Sequence, residues 1–158
     1  MTSAIIALLR REGASSAPIE ISVVLCDDPF IRDLNREHRG LDKATDVLSF
    51  PQEEHEGDFP TFPGQPNDLA RETRVLGDIV ISLETADAQA RTAGWSIEDE
   101  VDLLAVHGVL HLLGYDDETV EGAAEMREIS ALVLKDAGIA LPTGAVHPYF
   151  IEYTSPSA

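Results

Sequence analysis

The chain has one cysteine, two lysines and no long apolar run, and each shortage closes off a class of protein. A lone Cys26 cannot form an intramolecular disulfide framework, so a reducing cytoplasm is the expected compartment. No stretch approaches the ~18 apolar residues of a membrane span, so no membrane association is expected. The one apolar patch near the start, Ala4 to Leu9, runs into Arg10-Arg11-Glu12 and lacks a basic beginning; it reads as part of a helix, not a secretory signal. Lys43 and Lys135 are the only lysines, and 11 basic residues stand against 29 acidic ones, for a net charge of −18. Such a surface repels phosphate at long range, which counts against a general nucleic-acid binder. The 158 residues suit one domain with a substantial core.

Strands and helices alternate along what is present. Ile19, Ile21, Val23 and Leu25 alternate with other residues, predicting a strand over 19–25 with one face buried. Asp28-Pro29 then supplies an N-cap and a first-turn proline, and Gly40 a stop, for a helix with Phe30 and Leu34 on one face. Asp46 to Phe50 reads as a short second strand. Residues 51–74, with four prolines and many acids, read as a mobile loop. Gly77 to Ser82 is a third strand, apolar enough to be buried on both faces. A helix to about Ala93 follows, then one opened by Ser96 and Asp99 as a capping box, and a last helix from about Thr119 to Ala137. Residues 1–141 are expected to form a single domain and 142–158 a C-terminal tail. The expected fold class is α+β, a small mixed sheet packed with helices around a buried central helix.

That central helix carries the chemistry. Val101, Leu103, Leu104, Val106, Val109, Leu110, Leu112 and Leu113 leave it little polar surface, yet it holds His107 and His111. Residues four apart on a helix share one face, so both imidazoles can reach one ion. Gly114 can end the helix in a left-handed cap and return the chain, bringing Asp117 within reach as a third ligand. Asp116 and Glu118 are adjacent carboxylates that could ligate in its place. Two His and one carboxylate leave a position open for water, as in catalytic zinc sites. A metalloprotease of the H-E-x-x-H type would need a general base beside the first ligand, where this chain has Gly108. His38, His55 and His147 have no evident partner in sequence. Arg36, Arg39 and Lys43 cluster at a helix-to-loop junction, either compensating a helix C-terminus or clamping a phosphate.

Two stretches carry a family resemblance. His107 to Asp116 match H-G-x-L-H-L-x-G-Y-D, and Arg39-Gly40-Leu41-Asp42-Lys43 followed by Thr45 to Pro51 match R-G-x-D-K-x-T-D/N-V-L-S-F-P, with His38 in place of an aromatic. Together with Gly77-Asp78-Ile79-Val80-Ile81, these make the chain resemble the bacterial YbeY family of metal-dependent endoribonucleases, over about residues 19 to 138. The resemblance implies a zincin-like arrangement holding one Zn2+ at His107, His111 and Asp117. It also implies Arg39 as the catalytic and substrate-binding cation, with Lys43 beside it on the substrate. The implied activity is cleavage of single-stranded RNA in 16S rRNA 3′-end maturation and ribosome quality control, with rRNA and the small ribosomal subunit as partners. Two other readings compete: a ribosome-assembly factor whose metal is structural, and a zincin-like peptidase. The family's third ligand is commonly His where this chain has Asp117, an acceptable zinc ligand that alters the charge of the site. No residue stands out as a general base, Asp116 being a candidate. Family members usually begin with a strand and a full helix before the strand at 19–25; the shorter segment here suggests a start placed too late, or a truncation.

Overall fold

The structure, a computed structural model, describes residues 1–13, 18–52, 73–142, 147 and 149. In chain order the elements are α1 (Thr2–Arg11), β1 (Ile19–Cys26), α2 (Asp28–Arg39), β2 (Val47–Pro51), β3 (Arg74–Ser82), α3 (Leu83–Ala93), α4 (Ile97–Leu112) and α5 (Val120–Asp136). The fold is α+β. Among the described residues three strands lie in the order β1-β3-β2, with β1 parallel and β2 antiparallel to β3. Most of the loop expected at 51–74 lies outside the described residues, as does His55.

β3 is central because its sequence is apolar on both faces. Ile79 and Ile81 enter a core shared with α1, α4 and α5, while Val80 meets Leu48 and Ile31 on the opposite face. α2 therefore covers one side of the sheet and the remaining helices the other. The buried stripe of α2 is Ile31 and Asn35; Phe30, expected on one face with Leu34, is 50% exposed. The cap of α2 also sits one residue earlier than Asp28: the Asp27 carboxylate accepts from the Phe30 N–H at 3.0 Å. Asp28 is drawn elsewhere, accepting from the hydroxyls of Ser82 at 2.5 Å and Thr85 at 2.6 Å, which ties the starts of α2 and α3 together. Those two hydrogen bonds hold its carboxyl below the ordinary range.

α4 is the spine of the molecule. Ser96 caps it by accepting from the Asp99 N–H at 3.1 Å, and Leu103 to Val106 and Gly108 to Leu110 are all buried. Gly108 allows the helix to lie close on the sheet. A Cβ there would stand 2.9 Å from Ile79 Cγ2, and the Ser49 hydroxyl donates to the Gly108 carbonyl at 3.1 Å. The helix ends as its sequence predicts. Gly114 adopts φ +99°, its N–H donates to the His111 carbonyl at 3.0 Å, and the Tyr115 N–H donates to the Leu110 carbonyl at 3.0 Å. This pair of bonds is the Schellman pattern, which turns the chain back toward the last helical turn.

Candidate metal centre

The return after Gly114 delivers Asp117 to the two histidines. His107 Nε2 and His111 Nε2 are 3.0 Å apart, and Asp117 Oδ2 lies 3.5 Å from each. Among the described residues these three form a group able to hold a metal ion. The fit can be tested on the triangle itself. A triangle with edges of 3.0, 3.5 and 3.5 Å has a point about 2 Å from every corner, the length of zinc bonds to nitrogen and carboxylate oxygen. The donor set is also prepared electronically. His111 Nδ1 faces the Tyr115 carbonyl at 3.0 Å, an acceptor only, so Nδ1 carries the proton and Nε2 points a lone pair into the triangle.

The neighbouring carboxylates divide the work. Asp116 Oδ1 accepts from the Glu118 N–H at 2.9 Å, an Asx-type turn that shapes the loop and leaves Asp117 facing the histidines. The Tyr115 hydroxyl donates to Glu12 Oε2 at 2.7 Å, anchoring the same turn to the end of α1; that carboxylate pushes the phenol up to about 12.

His107 is mostly buried, and burial together with the neighbouring His111 lowers its pKa to about 4, against the pull of Asp117 and Asp46. An unfolded histidine takes up its proton near pH 6.5, whereas folded, metal-free His107 does so only near 4. Between those values the unfolded state binds more protons, so this residue's contribution falls as pH falls, by about 3 kcal/mol in total. With metal chelated, the protein is expected to lose stability relative to His107→Gln as pH drops from 6.5 to 4. Equal pH slopes in thermal melts would show that His107 protonates freely in the fold.

A cleft of about 450 Å³ opens onto the triangle, walled by Arg39 from the end of α2, Thr45 to Ser49 of the β2 segment, and Asp116 to Glu118. Among the described residues Arg39 makes no ion pair, whereas Arg32 and Arg36 are bound to Asp42 and Asp33 on the outer surface. Lys43 is not brought to this cleft; it lines a separate depression with Arg32, Arg36 and Asp42. His38, in the place of the family's aromatic, packs edge-on against Phe50 with ring centroids 5.0 Å apart.

Several residues around the centre gave little sequence signal. Asp46 lines the cleft, held by the Val47 N–H at 2.8 Å and Gln89 Nε2 at 3.2 Å. Glu100 is fully buried in α4 and accepts from Trp95 Nε1 at 2.7 Å. A carboxylate on an otherwise apolar helix face is the signal that marks it. Tyr149 reaches His107 from the C-terminal segment, and burial pushes its phenol up to about 12, so it stays protonated. Nothing in the polar tail sequence points to it.

An α+β fold with two His and one carboxylate gathered at the end of a buried helix defines a protein with a site able to hold a metal ion. The family profile described as Endoribonuclease YbeY matches residues 1–138, and the chain belongs to that family. It is similar to Endoribonuclease YbeY of Moorella thermoacetica, 46% identical over 120 residues, which cover 76% of this chain and 74% of the relative. The protein of the same name from Heliobacterium modesticaldum is 44% identical over 133 residues, 84% of this chain and 78% of the relative. A solution structure of a Thermotoga maritima protein shares the fold, with a TM-score of 0.51 at 24% identity, over 85% of this chain and 79% of that one. The peptidase reading is not favoured: the position of its general base is Gly108, packed too tightly on Ile79 for a side chain. Nor is a non-hydrolytic role favoured by relatives that carry the name endoribonuclease.

Proposed function

We propose that this chain is a cytoplasmic, zinc-dependent endoribonuclease that cleaves single-stranded RNA in maturation of the 16S rRNA 3′ end and in ribosome quality control, acting on the small subunit. The observation that carries the reading is the opening of the three-ligand group and the Arg39 guanidinium onto one cleft. His107, His111 and Asp117 would hold the ion. When bound, zinc polarises a phosphodiester oxygen and lowers the pKa of water toward ~7. Arg39 offers a planar fork of donors that matches a phosphate bidentately and offsets charge developing on it. Lys43, outside the cleft, would meet the RNA backbone farther along its path.

The charge of the cleft explains how so acidic a protein can receive RNA. Among the described residues its lining has one positive side chain, Arg39, against four carboxylates, Asp46, Asp116, Asp117 and Glu118, a formal −3 with neutral histidines. A dication would reduce that to −1 and offer phosphate a cation to bind directly, where the bare lining repels it. RNA binding and cleavage should therefore both depend on the metal. Single-turnover cleavage of a 16S 3′-end fragment is expected only from zinc-loaded protein, and Arg39→Ala should slow it about 10²–10³-fold while zinc content stays the same. Undiminished cleavage by chelated protein, or by Arg39→Ala, would overturn the assignment.

A further inference from the structure

The family match ends at residue 138, yet two residues beyond it are packed into the protein beside the metal centre. The Tyr149 hydroxyl lies 3.0 Å from His107 Nδ1 and 3.1 Å from Ser130 Oγ. Its position is fixed from behind. The Tyr149 backbone N–H donates to His147 Nδ1 at 3.0 Å, so the His147 proton sits on Nε2, which donates to the buried Glu100 carboxylate at 2.8 Å.

We propose that Tyr149 is a positioning residue for the metal centre, fixing the His107 ring and accepting its Nδ1 proton when Nε2 binds the ion. The inference rests on His107, His111 and Asp117 being the ligands. A histidine that ligates through Nε2 carries its proton on Nδ1, and ligating histidines donate that proton to an outer partner that fixes the ring. For His111 the partner is the Tyr115 carbonyl; for His107 it is the Tyr149 oxygen.

The two partners differ in kind. A carbonyl only accepts, so His111 keeps one tautomer at all times. A hydroxyl can do both. In metal-free protein the proton of His107 sits on Nε2 and bridges to the lone pair of His111 Nε2, 3.0 Å away, while the Tyr149 hydroxyl donates to His107 Nδ1. In the metal-binding tautomer one proton leaves Nε2 for solvent and one is taken up at Nδ1, so the ring stays neutral. Tyr149 then accepts from Nδ1 and turns its own proton to Ser130 Oγ. The hydroxyl thus satisfies His107 in both states.

The test compares wild type, Tyr149→Phe, Ser130→Ala and His111→Ala by zinc competition against a chromophoric chelator, with imidazole 15N spectra. Tyr149→Phe keeps the ring against His107 and removes the hydroxyl alone. It is expected to weaken zinc binding about 10–100-fold and to alter the 15N shifts of His107 but not His111, with the fold retained in chelator. Ser130→Ala, which removes the acceptor of the tyrosine proton, should give a smaller loss in the same direction. Zinc affinity within about twofold of wild type in both variants would overturn the inference. If His111→Ala loses zinc while the other two keep it, only the role of Tyr149 fails. If His111→Ala also keeps zinc, the ligand assignment beneath it fails.

Discussion

His111→Ala is expected to leave a folded protein that no longer retains zinc and cleaves RNA no faster than the chelated wild type. The side chain supplies one corner of the triangle, 3.0 Å from His107 Nε2 and 3.5 Å from Asp117 Oδ2. Zinc sites with four protein ligands contribute about 10–16 kcal/mol, or ~3 kcal/mol per ligand, so losing one weakens binding at least ~100-fold. His111 is only half-buried and its outer nitrogen is bonded to a turn that Gly114 and Tyr115 hold independently, so its truncation leaves the core intact. Metal content per chain, circular dichroism and single-turnover cleavage test the three statements separately. One equivalent of zinc retained through gel filtration by the variant would remove His111 from the ligand set.

How much of this was legible in the sequence depends on the range of the interactions. His107, His111 and Gly114 form a local device: helical spacing and a left-handed cap follow from the backbone, and the structure reproduces both. Asp117 was legible as one of three adjacent carboxylates. What sets it apart is the engagement of Asp116 with the Glu118 N–H, a side-chain bond that spacing does not reveal. The capping of α2 slipped by one residue for a related reason, since Asp27 and Asp28 are both competent caps and the hydroxyls of Ser82 and Thr85, more than 50 residues away, claim the second. Arg39 and Lys43 look alike four residues apart, yet the turn at Gly40 sends Arg39 to the metal cleft and Lys43 to the outer surface. Least legible were Glu100, His147 and Tyr149, since contacts of His147 and Tyr149 with α4 lie more than 40 residues away in sequence.

Gly122→Ala is the second change with a large expected effect, and helix propensity alone assigns it the wrong sign. Gly122 lies in the first turn of α5, its N–H donating to the Thr119 hydroxyl at 3.0 Å. In an exposed helix the substitution would gain about 1 kcal/mol. Here the new Cβ would stand 2.1 Å from the backbone carbonyl oxygen of Asp116 and 3.0 Å from Thr119 Oγ1. A carbonyl cannot swing aside as a flexible side chain can. Relief requires moving the Asp116–Glu118 turn, which the Glu118 N–H bond keeps as one piece. Asp117 sits in that piece, so its carboxylate would leave its place 3.5 Å from both histidines. The expected result is a loss of about 1–3 kcal/mol in folding stability from overpacking. Zinc affinity should drop at least ~10-fold as the carboxylate is displaced, the scale on which outer-shell support acts. His107 and His111 keep their own partners and Asp117 is displaced, not deleted, so the loss of zinc binding should be smaller than in His111→Ala. Chelator competition and melting of Gly122→Ala beside wild type measure both effects. A variant that melts higher and binds zinc as wild type does would mean that the turn yields without carrying Asp117 with it.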